Sequence, residues 1–161
     1  MEELAPERAA YLTEEFSKGF VRMCGFRVER VLRGYLESRL SVEADHEQQD
    51  GLIHAGVMST MADHSAGYAA FTVLPEEFQV FTVEFKINFL NPALGQGLLC
   101  RSRVIKEGLR ILVAESEVFD VRGGKEELAA KATVTLTAVH REKMQKKRSP
   151  KGEGTDQGNP A

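Results

Sequence analysis

The stretch Ala55–Phe71, AGVMSTMADHSAGYAAF, constrains the fold most. Alanine, glycine, serine and threonine outnumber bulky side chains, and nothing in it favours a strand. It reads as a long helix at the centre of the domain, small enough in cross-section for other backbone to approach closely. The next segment has a different period. Phe81, Val83, Phe85, Ile87 and Phe89 alternate with Thr82, Glu84, Lys86 and Asn88, a period of two that predicts a half-buried strand. Asn91-Pro92 breaks the run, and Gly95 and Gly97 carry the turn. Leu98–Ile105, Arg110–Val121 and Leu128–Val139 read as further strands around Gly108 and Gly123-Gly124, with turns short enough for antiparallel neighbours.

Ahead of the long helix, Pro6 to Lys18 has a helical pattern, with Ala9, Ala10, Leu12 and Phe16 on one face. Phe26–Val31 and Leu36–Val42 alternate on either side of Gly34 as two strands, and Ala44–Ile53 is a polar loop. One long helix against an antiparallel sheet of about six strands is an α+β layout.

At 161 residues and 17.9 kDa the chain is one domain with tails, large enough to bury a core without disulfide or metal staples. Residues 1–24 form a helical segment, 25–140 the domain, and 141–161 a basic tail. The tail holds six Lys/Arg against three acids, so of the net charge of −3 the tail carries +3 and the body −6. An acidic body argues against nucleic-acid binding, although the tail could touch polyanions. The tail is poor in apolar residues and rich in Pro and Gly, a composition that predicts disorder. Cys24 and Cys100 have neither disulfide-framework nor metal-ligand spacing. No apolar run is long enough to span a membrane, and the acidic start lacks the pattern of a signal peptide, so the cytoplasm is the expected setting.

The sequence has no GxSxG, P-loop, GxGxxG or HExxH. What stands out is the junction of loop and central helix: Gln48, Gly51, His54, Ala55 and Gly56, followed by Asp63. A carboxylate within a small-residue helix is costly unless it is paired, exposed or used. Asp63 could face solvent or bond neighbouring backbone, and His54 alone could be a satisfied cap or loop residue.

Taken together, the spacing Gln48-x-x-Gly51-x-x-His54-Ala55-Gly56-x6-Asp63 resembles the signature of hotdog-fold thioesterases of the PaaI-like and 4-hydroxybenzoyl-CoA thioesterase type. Phe89-Leu-Asn-Pro92-Ala with Gly95, and Glu107-Gly-Leu-Arg110, are similar to two further strand-end turns of that family. Two departures are Ala55, where family members often carry glycine, and the pairing of Asp63 with Gln48, which mixes two branches. The resemblance implies a hotdog fold and acyl-CoA hydrolysis with no metal and no cofactor, coenzyme A entering only as part of the substrate. Some members place a Ser or Thr at the position of Thr82 to hold the catalytic water; an ordinary strand threonine is the alternative.

The chemistry agrees with these residue types. The first N–H groups of a helix are unpaired and sit at the positive end of its dipole, so those of Ala55 and Gly56 could meet a developing oxyanion, with the Gln48 amide beside them. Asp63 would be the nucleophile or the base that activates water. His54 would orient the loop or contact the sulfur side.

Gly56 and Asp63 share a helix face but are separated by roughly 10 Å along the axis, at 1.5 Å per residue. A two-fold partner with an antiparallel helix would bring its own Asp63 back beside Gly56, so a homodimer with shared sites, pairing further into a tetramer, is expected. Ala62, Ala66 and Gly67 could then be close-approach positions, or could simply pack under the sheet. Lys106 and Arg110, flanking Gly108, could meet the phosphates of coenzyme A, and Phe81, Phe85 and Phe89 could line the acyl pocket. A non-catalytic acyl-CoA binding or sensing module on the same fold, and a dehydratase or hydratase, are the competing readings.

Overall fold

The computed structural model describes residues 2–148, with side chains described through 144. Helices α1 (Pro6–Phe16) and α2 (Val21–Cys24) lead into strands β1 (Arg27–Leu32) and β2 (Tyr35–Ser41). After the central helix α3 (Ala55–Phe71) come β3 (Phe78–Phe89), β4 (Gly97–Lys106), β5 (Ile111–Arg122), β6 (Lys125–His140) and helix α4 (Arg141–Arg148). The six strands form one antiparallel sheet in the order β1-β2-β4-β5-β6-β3, and it packs around α3 in the hotdog arrangement.

The composition of α3 explains how the sheet can close on it. Met58, Met61, Ala62, Ser65, Ala66, Ala69 and Ala70 are buried against the sheet, and β6 answers with Ala129, Ala130 and Ala132. Alanine on both surfaces lets the helix axis lie close to the strands, while Leu36, Leu40, Leu98, Leu112, Val134 and Leu136 fill the rest of the core. Ala62 and Ala66 therefore pack under the sheet, and of the three proposed close-approach positions only Gly67 faces open space. At the C-terminal end of α3, the Arg8 guanidinium donates to Phe71 O at 3.0 Å, a cation at the negative end of the helix dipole.

Three sequence expectations change. The short helix α2 was not visible as periodicity; it ends at Gly25, whose φ of +71° supplies a left-handed cap. The predicted disordered tail begins instead with α4, because REKMQKKR consists of strong helix formers with Glu142 in the first turn. The Arg141 N–H anchors it to Glu77 O at 2.8 Å. The rest of that tail, from 149 onward, lies outside the described residues.

The third change concerns β3. Its pairing with β6 shifts register between Thr82 and Glu84, leaving Val83 as an extra residue. Directly paired residues share a sheet face. Thr82 pairs with the buried Leu136, whereas Phe85, Ile87 and Phe89 pair with Val134, Ala132 and Ala130 on that same inner face. The simple alternation of the sequence is thus broken by a bulge: Thr82 joins the inner set, and Phe81, paired with Thr137, leaves it. Phe81 is accordingly not a lining residue of a pocket under the sheet.

Candidate active site

The loop before α3 is a small folded unit. The Gln48 N–H donates to Leu52 O at 2.8 Å and Gly51 N–H to Gln48 O at 3.0 Å, while Glu47 bridges Ile53. Gly51, at φ +73°, reverses the chain in a conformation other residues adopt at a cost. The His54 N–H donates to His46 O at 2.8 Å, closing the base of the loop. This geometry explains the Gln-x-x-Gly-x-x-His spacing: the turn at Gly51 folds Gln48 back beside the start of α3.

His54 is the N-cap of α3. Its Nδ1 accepts from the Gly56 N–H at 2.8 Å, so the free imidazole proton of the neutral ring is on Nε2. A Cβ on Gly56 would sit 2.9 Å from that Nδ1, so glycine is what leaves room for the ring. This corrects the expectation that the Gly56 N–H faces an oxyanion: it is engaged by His54. The Ala55 N–H, by contrast, has no partner among the described residues and stays available. Ala55 is the first helical residue and has negative φ, so alanine fits there without strain.

Gln48 and Ala55 open onto a cleft of about 330 Å³. Leu52, Ile53, Met58, Phe89, Leu90, Asn91, Pro92 and Ala93 complete its walls, which carry no charged side chain. A predominantly apolar cleft of this size with a few convergent polar groups is typical of small-ligand sites. Phe89 lies in it; Phe85, four residues back along β3 and about 40% exposed, does not.

Asp63 is elsewhere on the same helix. It is half-buried, and its Oδ1 accepts from the Thr82 hydroxyl at 2.7 Å. The β3 bulge is what brings Thr82 inward to make that bond. Asp63 Oδ2 has no hydrogen-bond partner among the described residues. The neighbouring His64 turns away: its Nε2 donates to Phe16 O at 2.9 Å and its ring packs on Phe16 and Tyr68. Burial holds this imidazole below the ordinary value of 6.5, with the Phe16 carbonyl and Asp63 opposing in part.

Lys106, Gly108 and Arg110 are not brought to the cleft. Gly108 stands with Val73, Leu74, Pro75 and Phe78 beyond the C-terminal end of α3, roughly 25 Å from its start at 1.5 Å per residue. There Arg33 holds Glu107 through two hydrogen bonds of 2.8 and 2.7 Å, and Leu109 protrudes, 97% exposed. Asp120, which the sequence reading did not single out, is buried on β5 and bonds the backbone of Leu94 and Gly95, next to the cleft-lining Pro92 and Ala93; its sequence signal is a carboxylate at an inward strand position.

Within the chain these residues thus fall into two groups, Gln48 and the Ala55 N–H where the loop meets the start of α3, and the Thr82-bonded Asp63 about two turns further along the helix. One antiparallel sheet packed around a long helix, with a cleft at the start of that helix, defines a hotdog fold. The sequence profile of the thioesterase superfamily matches residues 50–127. An esterase-named protein of Saccharolobus solfataricus is 32% identical over 118 residues, 73% of this chain and 75% of the relative. The crystal structure of a thioesterase family protein from Silicibacter pomeroyi superposes with a TM-score of 0.78 at 37% identity, covering 81% of this chain and 98% of that one. A Haemophilus influenzae thioesterase shares the fold, with a TM-score of 0.75 at 20% identity over 83% of this chain and 91% of its own. The chain belongs to the thioesterase superfamily, and the reaction class is hydrolysis of a thioester or ester. Among the described residues no helix is long and apolar enough to cross a membrane.

Proposed function

We propose that the protein hydrolyses aryl- or medium-chain acyl-CoA thioesters, as a PaaI-like enzyme, in sites shared between two protomers. The observation that carries this reading is the division of the machinery. Gln48 and Ala55 open on the cleft, whereas Asp63 lies on the same helix roughly 10 Å further along the axis. Groups that must act on one carbonyl need to lie about 3 Å from it. A second α3 running antiparallel across a two-fold axis supplies the missing half.

Two surfaces support such a pairing. Gly56, Thr60, Asp63 and Gly67 form a stripe of short side chains on the outward side of α3, where another helix could approach. Beside it, β3 is an edge strand, paired with β6 on one side and with no strand neighbour among the described residues on the other, and it carries exposed Phe81, Val83, Phe85 and Phe89. Long apolar edges are avoided in monomers because they template pairing with another chain. Pairing of β3 with its twin would cover that edge in a homodimer; two such dimers would make the tetramer.

In the shared site the thioester oxygen would lie on the Ala55 N–H and the Gln48 side-chain amide, with the acyl group in the apolar cleft. The partner protomer would supply the carboxylate, oriented by the threonine hydroxyl. That carboxylate attacks the carbonyl carbon, or takes a proton from a water that does so. The tetrahedral adduct collapses by breaking the C–S bond, and coenzyme A leaves as the thiol once protonated; in the covalent route water then releases the acid. Because that turn stands at the far end of α3, only the antiparallel partner's Lys106 and the partner's Arg110 would serve the coenzyme A phosphates outside the acyl cleft. Thiol release from a panel of aryl- and alkyl-CoAs tests the reading, with turnover expected for the wild type and strongly reduced turnover for Asp63→Ala. Binding of the panel without turnover by the wild type would instead establish the sensing module.

A further inference from the structure

The loop Leu90–Gln96 joins β3 to β4, and its residues 90–93 form one wall of the acyl cleft. Its ends are tied by backbone: the Leu90 N–H donates to Ala129 O at 2.7 Å and the Val42 N–H to Gln96 O at 2.9 Å. Its middle is tied to the opposite wall, the Ile53 N–H donating to Ala93 O at 2.9 Å. The next two N–H groups, of Leu94 and Gly95, turn inward and are held by one side chain.

That side chain is Asp120, on β5 and only 1% exposed. Its Oδ1 accepts from Gly95 N at 2.7 Å, and its Oδ2 accepts from Leu94 N at 3.1 Å and from Arg122 Nε at 2.6 Å. Arg122 also reaches over the loop, its Nη2 donating to Pro92 O at 3.4 Å. Gly95 is held so close that a Cβ would collide with Val121 O and Asp120 Oδ1. A buried carboxylate accepting two backbone N–H bonds and one guanidinium bond is far stiffer than a solvated loop contact.

We propose that Asp120 is a positioning residue of the acyl pocket: by clamping Leu94 and Gly95 it fixes Pro92–Ala93 at the distance from Ile53 and Met58 that sets which acyl groups fit. This rests on the acyl-CoA reading above. The clamp touches neither Gln48, Ala55 nor Asp63, so it acts on acyl binding and leaves the reacting groups in place. Asparagine cannot replace it, because an amide NH₂ would face a donor where a carboxylate oxygen accepts.

The test compares wild type, Asp120→Asn and Arg122→Gln for hydrolysis of acetyl-, medium-chain acyl- and aryl-CoA. It adds calorimetric binding of the corresponding uncleavable S-alkyl-CoA thioethers. Asp120→Asn should raise KM and the thioether Kd about ten-fold for the larger groups, the scale of one lost charge-assisted hydrogen bond, with acetyl-CoA and kcat within about two-fold. Arg122→Gln, whose guanidinium is partly exposed, should shift the same profile about two- to three-fold, and decides the matter if Asp120→Asn does not fold. A loss that is uniform across acyl sizes, a loss confined to kcat, or an unchanged profile in a variant of an active wild type overturns the inference alone. A wild type that neither cleaves nor binds the series overturns the functional reading beneath it.

Discussion

The Thr82 hydroxyl donates to Asp63 Oδ1 at 2.7 Å, a contact between an edge strand and the central helix. It fixes one oxygen of the carboxylate and leaves the other without a hydrogen-bond partner among the described residues. Loss of Asp63 itself, in Asp63→Ala, should lower kcat by about 10²–10⁴, the range for a positioned base. Thr82→Val should lower kcat about ten-fold with little change in KM, since one orienting hydrogen bond is removed. Steady-state kinetics by thiol release checks both, and full activity in Asp63→Ala rules out the carboxylate mechanism.

Complementation addresses the shared site. Asp63→Ala and Gln48→Ala homodimers should both be nearly inactive, while refolding a mixture of the two should restore up to about a quarter of wild-type turnover, since half the dimers are mixed and each keeps one intact site. No recovery on mixing would place both groups in one protomer's site.

The exposed edge gives a separate prediction. Val83 is 58% exposed at the β3 bulge, and Val83→Lys places a charge where a second β3 would pair. Sedimentation should show a shift toward monomer, accompanied by loss of turnover. A variant that is monomeric yet fully active would remove the shared-site mechanism.

At the start of α3, Gly56→Ala pushes a methyl group against the His54 ring, and His54→Ala removes the cap outright. Each should cost about 1 kcal/mol, a fall in Tm of roughly 2–4 °C for a chain of this size. Thermal melts of the two single variants and the double variant check it. Because both changes break the same contact, the double variant should cost less than the sum.

His64 sets a pH dependence of stability. Burial holds its imidazole below 6.5, so as pH falls beneath that value the unfolded chain binds the proton first. The associated stability is present above 6.5 and is lost through the window below it. Melting temperature against pH should therefore have a shallower slope in that window for His64→Gln than for wild type.

Much of this was legible in the residues. The central helix was marked by its small side chains and by the Gln48–Asp63 spacing, and the strands by period two. The phase of β3 was not: alternation in sequence says which residues share a face only while pairing is regular, and the extra residue at Val83 appears only once β6 is laid beside it. The role of the Gly56 N–H was hidden for a related reason, since a histidine two residues earlier competes for the donor that a bare helix end would offer. Lys106 and Arg110 read in the sequence as turn cations that could meet the phosphates of coenzyme A, but only the topology shows that their turn stands at the opposite end of α3 from the cleft.

The bulge at Val83 also bears on how this strand can change. Deleting that one residue would leave Thr82 opposite Leu136 and Glu84 opposite Thr135, so the strand would run on without the bulge and still turn the hydroxyl toward the acid. The unpaired position is therefore the place where β3 can lose a residue without turning any upstream side chain to the other face of the sheet.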